Sequence, residues 1–262
     1  MHKQRVLVTG ASTGIGKAIA SLLYQNGYDV IGTSRNPEVL QDKISGIRYY
    51  PLDLQDPLSI DALVKKIGDI DILVNNAGQS QIGPLEEVPM EKVRFLFEVN
   101  LFGIIQLIKG IIPSMRARRT GTIINISSMS GIFGVGFTSV YCGTKFALEG
   151  ISRSLRQEVR SFGIKVILVE PGYIHTTLSQ DPNYQTDSEY YEAVKIFKGI
   201  REHNINTGAT PEAVAKKILD ILRKKNPKPA YPVGGDAPRN AFLVRVLPIR
   251  IVEWFQRKKF KN

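Results

Sequence analysis

Tyr141 and Lys145 are the two side chains of this sequence best placed to move a proton between them. They stand four residues apart in a stretch whose apolar spacing predicts a helix, so both project from one face. A phenol with an ordinary pKa of about 10 is a poor base at neutral pH, and a neighbouring ammonium favours its ionised form. Such a pair can give a proton to a carbonyl oxygen or take one from a hydroxyl. Spacing alone would make it a core tyrosine and a surface lysine, and the chain holds a second such pair, Tyr191 with Lys195, read as a surface accident. What sets the first pair apart is its company. Ser128 stands 13 residues upstream at the end of an apolar run, Asn100 precedes it, and Pro171-Gly172 follow.

A second constellation opens the chain. Thr9-Gly10-Ala11-Ser12-Thr13-Gly14-Ile15-Gly16 follows directly on one apolar run and leads into an amphipathic one. Glycines there let the backbone turn sharply and approach a pyrophosphate, while a helix start offers free N–H groups and the positive end of its dipole. The spacing is G-x-x-x-G-x-G, a variant of the commoner dinucleotide fingerprint. Gly10, Ser12, Thr13, Gly14, Ile15 and Gly16 are therefore candidate cofactor contacts. The next apolar run ends Ile31-Gly32-Thr33-Ser34-Arg35. A site for NAD carries a carboxylate at that place, for the ribose 2′-hydroxyl. A guanidinium can pair instead with a 2′-phosphate, so Ser34 and Arg35 predict NADP(H).

The elements that must hold these residues are legible as an alternation. Arg5–Thr9, Asp29–Thr33, Ile47–Tyr50, Ile70–Val74, Gly121–Ile126 and Ile164–Val169 read as buried strands. Between them Ile15–Asn26, Leu58–Ile67, Met90–Met115, Val140–Phe162 and Pro211–Lys225 read as helices. That rhythm predicts an α/β fold: a Rossmann-type, doubly wound parallel sheet with helices on both faces, as a single domain over residues 1–262. The rhythm breaks over residues 172–208, a polar and aromatic interval with Tyr173, Tyr184, Tyr190, Tyr191 and Phe197 but no strong period. An interval of that length after a strand's C-terminal end predicts a substrate lid.

With these residues in place, the sequence resembles the short-chain dehydrogenase/reductase family over most of its length. The resemblance rests on Gly10, Gly14 and Gly16, on Leu52-Asp53-Leu54, and on Asn75-Asn76-Ala77-Gly78. It continues through Asn100 in Val99-Asn100-Leu101-Phe102-Gly103, Asn125-Ile126-Ser127-Ser128, Tyr141 with Lys145, and Pro171-Gly172. The string from Val140 to Gly150 is especially similar to hydroxysteroid and retinol dehydrogenases. The resemblance implies that Asp53 and Leu54 contact the adenine and that Asn76, Ala77 and Gly78 line the adenosine side. It implies that Ile174 and Thr176, in the Pro171-Gly172-Tyr173-Ile174-His175-Thr176 turn, hold the nicotinamide end. It gives Lys145 a second role on the nicotinamide ribose, and has Asn100 hold a water that relays protons through Lys145. Tyr141 would then protonate a carbonyl oxygen as hydride arrives, with Ser128 hydrogen-bonded to the same oxygen. It also implies a homodimer or homotetramer, paired through the Met90–Met115 and Val140–Phe162 helices.

Other chemistries fit less well. No histidine partner for Ser128 is identifiable, and His2, His175 and His203 have no metal-ligand spacing, so neither nucleophilic catalysis nor a metal is expected. Met129, Ile132, Phe133, Val135, Phe137 and the 173–197 aromatics predict an apolar wall, hence a small lipophilic ketone, aldehyde or alcohol as substrate. A 3-oxoacyl thioester on an acyl carrier is the alternative substrate, and a nucleotide-sensing module without turnover the alternative class. The net charge of +11 is concentrated in residues 212–262, which carry 13 Lys and Arg against 4 Asp and Glu. No zinc-finger spacing or RNP-type motif accompanies it, so no nucleic-acid partner is expected. Residues 240–262 end in a basic amphipathic helix from Pro248, expected to pack its apolar side on the enzyme rather than lie on a membrane. The most apolar run, Leu101 to Pro113, is broken by Gln106 and Lys109, so no membrane span is expected. A single cysteine, Cys142, and a first strand already begun at Arg5 point to the cytoplasm.

Overall fold

Val6, Leu7 and Val8 are wholly buried because β1 (Arg5–Val8) is an interior strand of a sheet covered on both faces. The structure, a computed structural model, describes residues 3–176, 180–182 and 186–259. Around β1 run β2 (Asp29–Ser34), β3 (Arg48–Pro51), β4 (Ile72–Asn75), β6 (Gly121–Ile126), β7 (Ile164–Pro171) and β9 (Ala230–Val233). All pairings are parallel and the order is β3-β2-β1-β4-β6-β7-β9. The order reverses between β1 and β4, which opens a crevice at the carboxyl ends of the strands. A separate two-stranded piece pairs β5 (Ser80–Ile82) with β8 (Gln180–Pro182).

Helices close both faces. α1 (Gly14–Gln25) and α7 (Pro211–Leu222) cover one, their Ile19, Leu23, Val214 and Ile218 meeting Val6, Val8 and Val74. α2 (Pro57–Ile67), α4 (Gly103–Ala117) and α5 (Ser139–Val159) cover the other, with Leu63, Leu107 and Leu148 against Leu7, Leu73 and Ile123. α3 (Met90–Phe97) joins α4 through one wide turn, Glu98–Phe102, that bonds five residues apart instead of four. The run Met90–Ala117 is long and apolar enough to cross a membrane by length and composition, despite Gln106 and Lys109, but half of its apolar window is buried inside the fold.

Three features depart from the sequence reading. The interval 172–208 is not irregular throughout: α6 (Tyr191–Asn206) occupies its second half. Its period is weak because one face must meet both a core and a cleft, with Val194 and Phe197 buried beside Ile82, Val135 and Phe137. The seventh strand, β9, goes unread because Pro232 argues against a strand interior; the structure tolerates it there because β9 is a sheet edge. Finally, the C-terminal helices α8 (Ala237–Val246) and α9 (Ile249–Lys259) cover their apolar side only in part. Val252 is buried, whereas Phe242, Val246, Ile249, Ile251 and Trp254 are exposed, since α9 packs chiefly on α8. Tyr184 and Phe260, assigned above to the lid and the tail, lie outside the described residues.

Candidate active site

The crevice at the switch point is a cleft of about 790 Å³. Its floor is the loop between β1 and α1. Gly10 and Gly14 both take positive φ, 65° and 50°, which a side chain resists and glycine does not. Gly16 serves differently. A Cβ there would stand 2.1 Å from the Gly10 carbonyl oxygen, so this glycine lets helix and loop touch and is not itself on the cleft. The Thr13 side chain does not cap α1, and no acidic residue occupies the first turn. Ser12, Thr13, Gly14 and Ile15 at this uncapped end of α1 line the cleft, where free N–H groups of a helix start suit a pyrophosphate.

Thr9, which sequence reasoning passed over, latches this loop to the next strand. Its buried hydroxyl accepts the N–H groups of Asn76 at 2.9 Å and Ala77 at 3.0 Å. The Asn76 amide reaches back to the carbonyls of Thr9 and Gly10 at 3.0 and 3.3 Å. Ala77 and Gly78 are thereby held on the cleft wall. Asn75 turns the other way and donates to Asn125, which donates to Ser152, each at 2.8 Å. That buried chain ties β4, β6 and α5 together at the level of the site.

At the end of β2, Ser34 and Arg35 both line the cleft. The Ser34 hydroxyl is buried without a hydrogen-bond partner, a costly state that an acceptor-rich ligand group would relieve. Asp53 and Leu54 line the same end, with Asp53 held by its own turn, its carboxylate accepting the Gln55 N–H at 2.9 Å. At the opposite end Pro171, Gly172, Ile174 and Thr176 border the cleft, and their loop is pinned: Gly172 donates to Val233 and His175 to Ala209, both at 2.9 Å. His175 itself is exposed and off the cleft. The glycine loop, the orphaned hydroxyl and the two bordering walls fit a nicotinamide dinucleotide.

The candidate proton-handling residues meet midway along. Ser128 ends the β6 segment and Tyr141 and Lys145 rise from α5, all three on the cleft. Burial raises the Tyr141 phenol above its ordinary value, partly offset by the neighbouring Ser128 hydroxyl and by the charge of Arg201. The Lys145 ammonium is pushed down to about 8 by burial, with Glu149 pulling the other way. Its Nζ donates to the Ile126 carbonyl at 2.9 Å and lies 5.9 Å from the centre of the Tyr141 ring. The expected lowering of the phenol by Lys145 is thus outweighed, because both groups are buried and the ammonium is turned to a carbonyl. Asn100 does not line the cleft. Fully buried in the wide turn, it grips Gln79, accepting its N–H and donating to its carbonyl, both at 2.8 Å. It thus fixes the loop beside Gly78, whose added Cβ would stand 3.8 Å from Lys145 Nζ.

The apolar wall comes from Met129, Phe133, Val135, Tyr173 and Phe197, as expected, whereas Ile132 and Phe137 pack behind it. Residues from α6 and α8 complete it, among them Ile200, Arg201, Asn204, Ile205 and Asn240. No motif flags these; only the fold shows that α6 faces the cleft.

Comparison with known proteins agrees with this arrangement. The family model described as short chain dehydrogenase matches residues 4–187. The chain is 35% identical to a 3-ketodihydrosphingosine reductase of Bacteroides thetaiotaomicron, over 97% of this chain and 94% of that one. Its fold is similar to the crystal structure of a short-chain dehydrogenase from Streptomyces avermitilis, with a TM-score of 0.81 at 33% identity over 100% and 99% of the two chains. It is also similar to ElxO with NADP bound, with a TM-score of 0.71 at 29% identity over 88% and 97%.

Proposed function

Since the chain belongs to the short-chain dehydrogenase/reductase family, we propose that it reduces a lipophilic ketone or aldehyde to its alcohol with NADPH, Tyr141 supplying the proton. The observation that carries this reading is that Ser128, Tyr141 and Lys145 line one cleft together with an apolar wall, Tyr141 and Lys145 rising from the same helix. The cofactor supplies hydride when bound. The rest of the work falls to the chain's own residues. Ser128 and Tyr141 present two hydroxyl donors to one carbonyl oxygen, which orients it and stabilises the charge it gains. Tyr141 gives up its proton as that charge develops, and Lys145, between the Ile126 carbonyl and the cleft, stabilises the phenolate left behind. The raised phenol suits an acid more than a base, which favours reduction over alcohol oxidation.

NADP(H) is favoured by Arg35 and the orphaned Ser34 hydroxyl at the β2 end, and by the NADP carried by a structural relative. A keto substrate is favoured by the apolar wall and by the reductase among the relatives. Interval 172–208 contributes that wall through Tyr173 and Phe197, the part expected of a substrate lid. NADPH consumption by purified protein over a panel of lipophilic ketones and aldehydes, with NADH in parallel, tests all of this. Turnover that prefers NADPH supports the proposal. NADPH binding without turnover of any member favours a nucleotide-sensing role.

Acidity should also show in rate. The first proton to leave the buried pair comes off Lys145 at about pH 8. Reduction needs the pair fully protonated, so the rate is expected to hold below pH 8 and fall above it. A pH–rate profile that rises through pH 8 in the reductive direction would contradict this assignment.

A further inference from the structure

α6 turns one face to the cleft, and among Phe197, Ile200, Asn204 and Ile205 that face carries a single cation, Arg201. Other partly buried arginines are compensated. Arg5 and Arg118 each sit against a carboxylate, at 3.1 and 2.8 Å, and Arg156 donates to the Val166 and Pro229 carbonyls at 2.7 and 2.9 Å. Arg201 has none among the described residues; the ion pairs of its own helix are Lys195–Glu192 and Lys198–Glu202. Its hydrogen bond goes to the Ser80 hydroxyl, long at 3.4 Å, and its Nε is buried with no partner. An uncompensated guanidinium in an apolar cleft costs free energy, and an oxyanion from outside is the ordinary way to compensate it. Its charge is also felt at Tyr141, so it sits within electrostatic reach of the proposed reacting oxygen. Asn204 and Asn240 also line the cleft and can add donors, whereas Asp236, another residue lining it, is shared with Arg239 at 3.7 Å.

We propose that Arg201 makes this cleft selective for carbonyl compounds that carry an anionic group, a carboxylate or a phosphate, joined to an apolar body. The proposal rests on the reading that this cleft is the substrate site. A substrate bearing a cationic amine at that place would be repelled by the same charge. Nothing in the sequence pattern of α6 marks the residue, because its role depends on which face the fold turns inward.

The test separates charge recognition from catalysis. Calorimetric titration of 4-phenylbutanoate and of its amide into the purified protein needs no turnover. The acid is expected to bind about tenfold or more tighter than the amide, as a charge-assisted bidentate contact would give. Arg201→Gln should erase that preference while leaving the amide's affinity unchanged, and 3-phenylpropyl phosphate run alongside shows which anion fits better. In parallel, NADPH turnover of 4-benzoylbutanoate and its amide is compared in both proteins, with an increase in KM for the acid alone expected in Arg201→Gln. Equal affinity for acid and amide in the native protein overturns the proposal. So does a kcat loss in Arg201→Gln that is the same for both ketones, which would mean that Arg201 serves only to tune Tyr141. Should the variant not fold, the native acid-to-amide ratio decides alone. Absence of turnover with a retained acid preference would sink the reductase reading and leave the anion site standing.

Discussion

Tyr141→Phe is expected to lower the rate of carbonyl reduction by about 10²–10⁴-fold while NADPH affinity stays within a few-fold of the native value. The change removes one oxygen and keeps the ring. Tyr141 is almost fully buried on α5, and its ring faces the Lys145 ammonium, so a phenylalanine fills the same space and the helix has no reason to shift. What disappears is the proton and one of the two donors proposed to meet the carbonyl, Ser128 keeping the other. The remaining hydroxyl can still orient a substrate, which is why binding should outlast turnover. Steady-state NADPH consumption and a fluorescence titration of NADPH, on the same two proteins, check both halves. A variant that retained more than a tenth of the native rate would take Tyr141 out of the chemistry.

The next largest effect should come from Arg35→Glu. The side chain is exposed at the mouth of the cleft, so the substitution leaves the core alone. It replaces a pairing cation by a carboxylate of the kind that receives a ribose 2′-hydroxyl and repels a 2′-phosphate. One charge-assisted contact is worth about 1.5–3 kcal/mol, so kcat/KM with NADPH should drop by about 100-fold while that with NADH holds or rises. The ratio of the two specificity constants is the measurement. If it does not move, Arg35 is an ordinary surface arginine and the orphaned Ser34 hydroxyl has some other reason.

The parts of this protein that a reader could find in the sequence are those governed by local rules. Buried parallel strands such as Gly121–Ile126 show as uninterrupted apolar runs, and the turn after Val8 shows as glycines at positions where φ must be positive. Tyr141 and Lys145 are found because helix periodicity fixes their mutual placement. What stayed hidden depends on distance along the chain. Thr9 looks like any strand-end threonine until β4 arrives alongside with two N–H groups to satisfy. Asn100 carries the right motif, but the motif does not say that its amide spends both ends on Gln79. The ordinary value of a phenol beside a lysine is likewise a local expectation, overturned by burial that only the packed cleft imposes. β9 was invisible because strand propensity penalises Pro232, and only its edge position makes that penalty small.

The base of interval 172–208 is drawn shut. Tyr173 and His175 exchange backbone hydrogen bonds with Ala209, at 3.1 and 2.9 Å, and Ile174 pairs with that same residue. Whatever lies between 175 and 208 thus starts and finishes at one point on the frame. Doubling such an excursion costs only about 0.6 kcal/mol in closure entropy, so its length and composition are nearly free to drift. Ser128, Tyr141 and Lys145 all precede it, just after β6 and on α5, and among the described residues no backbone hydrogen bond ties them to it. Descendants of this chain can therefore trade one excursion for another and inherit the proposed proton chemistry intact. Arg201 lies inside the exchangeable part, so under the proposed roles a lineage can change which molecules it accepts without relearning how to reduce them.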